Sequence, residues 1–239
     1  MTQSYGIIGE MKLSIIIPVF NEKGTILEIL KRIEKIKIPN VVKEITLVDD
    51  YSTDGTREIL HGLKKKYVVL FHKRNFGKGA AIRTALKHID GDIVIIQDAD
   101  LEYDPQDYLK LIKPIMDKKV SVVYGSRALK KSNRPSSTLF YLGGWLICRI
   151  TNLLYGSKLS DVNCCYKVFR KEVIKNIKLE GDRFEFCEEV TAKILKSGYK
   201  IEEVAVKYWP RSTTEGKKIR WVDGFTAIKT LVKYRFSSN

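Results

Sequence analysis

Residues 94–105 read V-I-I-Q-D-A-D-L-E-Y-D-P, an apolar run ending in Asp98-Ala99-Asp100, with Glu102 two places on. Side chains alternate along an extended backbone, so Asp98 and Asp100 point to one side of it. Two carboxylates placed there repel unless a hard cation shares them. A Mg²⁺ ion bound by one or two carboxylates and completed by substrate phosphates suits the pattern. The same residues also suit a polar turn before a helix starting near Pro105, since a D-x-D pair is common. Asn75-Phe76-Gly77-Lys78-Gly79 is a second group able to handle charge. Amides of a glycine-rich turn at a helix start can hold an anion, with Lys78 adding charge; a plain turn is the equal alternative. Isoleucine at position 82, where a third glycine would fall, excludes a dinucleotide fingerprint.

These groups need a rigid frame. Residues 13–19, 44–48, 67–71 and 92–96 read as apolar strands. Between them lie helical patterns at 24–37, after Asp49-Asp50 (capped by Ser52 or Thr53), and at 79–88. Strict alternation of strands apolar on both faces with helices predicts an α/β domain with a mainly parallel central sheet, helices covering both faces. In such sheets ligands bind beyond the carboxyl ends of the strands. Residues 18–22, Asp49-Asp50 and residues 98–100 all fall at such ends. The second half is less regular: a strand at 120–124 before Gly125-Ser126-Arg127, an apolar helix at 138–155, a strand at 200–208 and a basic amphipathic helix at 220–234. Trp221, Phe225, Ile228 and Val232 form that last helix's stripe.

The chain has 239 residues, enough for one large domain with a sizeable core, and 44% are hydrophobic. Its formal charge is +15, from 43 Lys+Arg against 28 Asp+Glu. Such a balance implies acidic partners: phosphorylated ligands or an anionic membrane face. Aromatics do not interleave with the basic residues as on an RNA-recognition sheet, so nucleic acid is not an expected partner. The cysteines Cys148, Cys164, Cys165 and Cys187 form no C-x-x-C pair, which excludes a zinc or disulfide framework and suits a reducing cytoplasm. His61, His72 and His88 are scattered and read as surface or core residues. The N-terminus lacks a signal-peptide pattern, and the apolar part of residues 139–148 is about half the length of a membrane-spanning helix.

Taken together, the blocks I-I-P-V-F-N-E at 16–22, V-D-D-Y-S-T-D-G-T at 48–56, N-F-G-K-G at 75–79 and D-A-D at 98–100 resemble the family 2 glycosyltransferases of GT-A fold, whose nucleotide-binding half is Rossmann-like. Gly125-Ser126-Arg127, D-V-N-C-C-Y-K-V-F at 161–169 and Y-W-P-R-S-T-T-E-G-K-K-I at 208–219 are similar to the dolichyl-phosphate mannose synthase branch. The resemblance implies an extension at 1–11 and a single catalytic domain at 12–236. Within it, 12–127 would be the nucleotide-sugar half and 128–236 the acceptor half with interfacial helices. It implies that Pro18, Phe20 and Glu22 line the nucleobase pocket and that Asp50 contacts base or ribose. Lys78 would lie near the nucleotide. Asp98, Ala99 and Asp100 would flank a Mg²⁺ or Mn²⁺ ion and the diphosphate. Arg127 would sit near the acceptor phosphate or donor sugar, with Arg149, Arg211 and Lys217 as further phosphate contacts. Asp100, Arg127 and Asp161 are the catalytic candidates, Asp161 orienting acceptor or sugar, or acting as base toward a hydroxyl.

Three positions depart from that branch. Glu102 replaces a frequent glutamine and either joins the metal or faces solvent. Asn163-Cys164 stands where E-T is common, which touches the sugar pocket. Phe184 through Glu189 departs from F-G-F-E-P-E, and Glu189 alone keeps its acid. The implied reaction is inverting transfer of a hexose from GDP-mannose or a UDP-sugar to a polyprenyl (dolichyl or undecaprenyl) phosphate. The enzyme would be peripheral at the cytoplasmic membrane face, with a membrane-anchoring subunit or a second copy of the chain as open partners. The alternative is a family 2 enzyme acting on a saccharide hydroxyl.

Overall fold

The structure, a computed structural model, describes residues 10–134, 137–211 and 221–237. Seven strands form one sheet: β1 (Met11–Val19), β2 (Val41–Asp49), β3 (Val68–Phe71), β4 (Ile93–Ile96), β5 (Val122–Ser126), β6 (Lys167–Arg170) and β7 (Ile201–Ala205). Their order is β3-β2-β1-β4-β6-β5-β7. β6 pairs antiparallel with β4 and β5, and every other pairing is parallel. Six strands therefore end at one edge, and the reversed β6 begins there. The chain entering β6 is thereby delivered to the edge where β1, β4 and β5 deliver theirs.

Hydrophobic residues on both faces explain the layers. Ile15, Ile16, Ile17, Leu47, Val48, Val94, Ile95, Val123 and Val168 are all fully buried. Helices α1 (Ile26–Lys35), α2 (Thr56–Leu63), α3 (Lys78–Leu86) and α4 (Tyr108–Met116) cover the N-terminal part. Neither Ser52 nor Thr53 caps α2. The helix starts at Thr56 behind Gly55, whose φ of 97° lies in the left-handed region. Ser52 instead accepts the Asn21 amide at 2.9 Å, tying the end of β1 to the end of β2.

The later helices are α5 (Thr138–Tyr155), α6 (Lys171–Asn176), α7 (Phe186–Lys196) and α8 (Trp221–Phe236). A second apolar cluster joins α5, α7 and α8 through Ile147, Cys148, Ala192, Ala227, Leu231 and Tyr234. The face of α8 turned inward is thus Ala227–Leu231–Tyr234. Phe225 and Val232 of the anticipated stripe are exposed. No helix among the described residues is long and apolar enough to cross a membrane.

Candidate active site

The carboxyl edge of the sheet gathers two groups of charge. In the first, β4 runs out into Asp98-Ala99-Asp100 while β1 runs out toward Glu22. Lys78, at the start of α3, pairs directly with Asp98. Arg211, on the chain beyond β7, donates from Nη2 to Asp100 Oδ2 at 2.8 Å and to Glu22 Oε1 at 3.0 Å. The Arg211 amide donates to Glu102 Oε1 at 2.6 Å, and the Glu102 amide to Asp100 Oδ1 at 3.0 Å. Glu102 therefore tethers Arg211 rather than simply facing solvent.

The electrostatics follow from this crowding. Burial, then the charge of Asp98, push the Asp100 carboxyl up to about 7, against the pull of Arg211. Burial works to lower the Lys78 amine, but the Asp98 charge prevails and holds it above its usual range. Arg211 Nε is buried with no hydrogen-bond partner among the described residues.

In the second group, β5 ends at Ser126 and hands on Arg127, while the chain entering β6 supplies Asp161. Arg127 Nε and Nη2 each donate to one Asp161 oxygen at 2.7 Å, and the Arg127 amide adds a third bond at 2.9 Å. This two-pronged geometry is the strong form of an arginine–carboxylate pair. Burial would raise the Asp161 carboxyl, but the guanidinium wins and holds it below the usual carboxylate range. Glu203 of β7 fixes the Asp161 amide at 2.9 Å, and the Tyr208 ring lies 5.1 Å under the Arg127 guanidinium.

Other anticipated residues take different places. The Asp50 carboxylate is engaged inside the protein: Oδ1 with His72 Nδ1 at 2.7 Å and the Phe76 amide at 2.9 Å, Oδ2 with the Gly77 amide at 2.7 Å. It shapes the turn at 75–79, and His72 is part of that support. The turn is not an anion cradle. The Gly79 and Ala80 amides donate to the Arg183 and Asp182 carbonyls. A Cβ on Gly77 or Gly79 would collide with the backbone of residues 181–182, so these glycines serve close packing. Glu189 holds the other side of that contact, accepting the Glu180 and Gly181 amides at 2.7 and 2.6 Å.

Pro18 and Phe20 are half-buried at the end of β1, and Ala99 is buried in the core. Arg149 is exposed on α5, its guanidinium 5.2 Å from the Trp145 ring. Lys217 lies outside the described residues.

Sequence reasoning passed over two buried polar residues here. Lys167, fully buried in β6, donates to the Val162 and Cys164 carbonyls at 2.7 and 3.0 Å. Glu188, 1% exposed, accepts from Asn163 Nδ2 at 2.7 Å. Burial lifts the Glu188 carboxyl to about 7. A lysine beginning the apolar run V-F and an acid pair inside F-C-E-E-V were the available signals.

The model of glycosyl transferase family 2 matches residues 14–178, and the chain belongs to that family. Its fold is that of the GT-A glycosyltransferases. It is 28% identical over 211 residues to the dodecaprenyl-phosphate galacturonate synthase of Rhizobium johnstonii, covering 85% of this chain and 61% of that protein. It is 31% identical over 215 residues to the dolichol-phosphate mannosyltransferase of Pyrococcus furiosus, covering 87% and 59%. The chain thus spans about three fifths of both relatives. Among solved structures, glucosyl-3-phosphoglycerate synthase from Mycobacterium tuberculosis, in complex with Mn²⁺, UDP and phosphoglyceric acid, superposes with a TM-score of 0.71. Its identity is 18%, covering 96% of this chain and 80% of that one.

Proposed function

We propose that this chain transfers a hexose, with inversion, from a nucleotide-diphosphate sugar to a polyprenyl monophosphate. The observation that carries the reading is the pair of unlike charged groups on one sheet edge: Asp98 and Asp100 with Lys78 and Arg211, and Arg127 locked to Asp161. The relatives named for dodecaprenyl-phosphate and dolichol-phosphate chemistry support it.

The first group suits the donor. Among the described residues no three acidic, histidine or cysteine side chains converge as a ready metal cage. The donor set nonetheless fits a Mg²⁺ or Mn²⁺ ion, which takes one or two carboxylates and completes its shell from substrate phosphates. Burial and the neighbouring Asp98 charge together lift Asp100, and a cation there would offset both. Bound there, the ion would stabilise charge developing on the leaving diphosphate. Lys78, kept protonated by Asp98, adds a donor beside it. Pro18, Phe20 and Glu22 border the place for the base, and Asp50 sets the adjoining turn.

The second group suits the acceptor. A phosphate monoester has its second pKa near about 6 and is already an anionic nucleophile at neutral pH. Arg127 offers it a fixed positive charge. Asp161, in a two-pronged ion pair and depressed in pKa, is a poor base; it positions Arg127. A hydroxyl acceptor would need a base at this point, so the locked Asp161 favours phosphate over a saccharide hydroxyl.

A lipid acceptor requires contact with a bilayer. Helix α5 exposes Leu139, Tyr141, Leu142, Trp145, Leu146 and Leu153, and α8 exposes Phe225, Val232 and Phe236. Apolar and aromatic side chains at this density, beside Arg149 and with +15 overall, suit peripheral binding to an anionic cytoplasmic leaflet. Radiolabelled UDP-glucose or GDP-mannose, offered with Mg²⁺ or Mn²⁺ and a short polyprenyl phosphate, tests the reading. Label should enter the organic phase and vanish with EDTA. Nucleotide binding with no organic-phase label from either donor would overturn the lipid acceptor.

A further inference from the structure

The chain leaving Arg127 forms one wall of a cleft, and the chain beyond β7 forms the other. Side chains of residues 130–134 and 207–210 line a space of about 520 Å³. Asn133 ties the walls together. Its Nδ2 donates to the Arg127 and Val206 carbonyls at 2.9 and 2.8 Å, and its Oδ1 accepts the Tyr208 amide at 3.1 Å. Tyr208, whose ring lies under the Arg127 guanidinium, also lines the cleft. The cleft thus adjoins the Arg127–Asp161 pair without including it.

Its lining is cationic. Lys130, Arg134 and Lys207 border it, and no acidic side chain does. Lys207 is held by Asp104 at 3.2 Å, but among the described residues neither Lys130 nor Arg134 pairs with a carboxylate. Converging cations with no counter-charge draw an anion, and an arginine fork matches phosphate oxygens. Trp209, 52% exposed, and Pro210 add an apolar wall beside that charge. Such a wall favours a phosphate carried on an organic residue over the free inorganic ion, which has no apolar surface to bury.

The neighbouring helix indicates which phosphate. Helix α5 begins at Thr138, four residues past Arg134, a span of at most about 14 Å. From Leu139 to Leu146 it carries no charge, and five of its large apolar side chains are exposed. A Cβ added to Gly143 or Gly144 would meet nothing within 4 Å, so open space continues around this half of the helix. With these side chains in a bilayer, cations and a tryptophan so close to them lie at the depth of the headgroups. We propose that the cleft binds the headgroup of an anionic phospholipid, Lys130 and Arg134 meeting the phosphate and Trp209 the glycerol beside it. This rests on the bilayer contact proposed above.

Short-chain phosphatidylglycerol, offered as a monomer, removes the bilayer and its surface potential, so calorimetry then reads the cleft alone. Wild type should bind it one to one, and should bind short-chain phosphatidylcholine and inorganic phosphate each at least about tenfold more weakly. Lys130→Ala combined with Arg134→Ala should weaken phosphatidylglycerol at least about tenfold, with the Tm unchanged. Lys229→Ala combined with Arg235→Ala removes the same charge from the exposed side of α8 and should keep wild-type affinity. No binding of phosphatidylglycerol, equal binding of phosphatidylcholine, inorganic phosphate bound as tightly, or equal losses in the two double variants would overturn the site. Flotation of wild type with phosphatidylglycerol vesicles tests the bilayer contact separately. Absence of flotation would overturn that contact and the site together, whereas flotation alongside any of those failures would overturn the site alone.

Discussion

Arg127 and Arg211 reach the same edge of the sheet and are held in opposite ways. Arg127 closes both prongs of its guanidinium on one buried carboxylate. Arg211 divides its guanidinium between Glu22 and Asp100 and leaves Nε without a partner among the described residues. The first is a finished ion pair that fixes a charge in place. The second is a shared one, in which positive charge stands among carboxylates that a divalent cation would also suit. One edge thus provides a permanent anchor and an exchangeable clasp, and the two arginines should answer differently to the same substitutions.

The largest difference should be in stability. Removing one partner of a buried pair strands the other, which costs about 3–5 kcal/mol. Asp161→Ala should lose that much in chemical denaturation. Arg211→Gln, whose charge is shared between two carboxylates and whose amide can still donate to one of them, should lose about 1 kcal/mol. Equal losses would erase the contrast. Next in size is the effect on transfer. Lysine cannot reproduce the guanidinium fork. Arg127→Lys should slow transfer to polyprenyl phosphate by roughly 100-fold, near 2.7 kcal/mol at the transition state, with the donor dissociation constant unchanged. A rise in that constant would move Arg127 to the donor side. Third, Arg211→Gln removes the charge that competes for Asp100 and Glu22. It should tighten Mn²⁺ binding without nucleotide about tenfold, or ~1.4 kcal/mol, by calorimetry. Weaker Mn²⁺ binding would show that Arg211 supports the cation instead.

The smallest effect sharpens the contrast from behind the site. Burial holds the Glu188 carboxyl at about 7, against 4.5 ordinarily. The folded chain keeps a proton that the unfolded chain releases, so this contribution is full at low pH and is lost as pH rises through about 7. Between about pH 5 and about pH 8 wild type should lose on the order of 2 kcal/mol that Glu188→Gln retains. Parallel pH profiles would contradict the assignment.

The sequence displayed the N-terminal half well because β1, β4 and the carboxyl half of β2 are mostly apolar and buried on both faces and α1, α2 and α4 carry apolar stripes. Residues 13–19, 44–48, 67–71 and 92–96 lie within or nearly coincide with β1 to β4. The second half hid β6, α6 and α7. β6 has four residues, Lys167 to Arg170, opens on a buried lysine, and runs against its neighbours, so neither length nor pattern announced it. The acidic pair at β4 was visible by spacing alone. Its pairing with Arg211, 111 residues away, was not, because β6 and β5 separate β7 from β4, and only the chain beyond β7, through the Tyr103–Tyr208 bridge and the Trp209 amide on the Glu102 carbonyl, carries Arg211 back to the end of β4. Asp50 illustrates the converse. Its position at a strand end suggested ligand contact, yet the turn at 75–79 supplies amides and a histidine that satisfy it internally. In α8 the expected stripe leaves Phe225 and Val232 exposed, while Ala227 and Leu231, smaller and less conspicuous, form the side that packs.

The measurement that tests the account most directly is acceptor choice. Wild type would be given its labelled donor and a divalent cation, with polyprenyl phosphate in one reaction and the corresponding polyprenol in another. The account predicts label on the phosphate and none on the alcohol, because Arg127 recruits a charged nucleophile and Asp161 is not free to deprotonate a neutral one. Comparable label on the alcohol would contradict it.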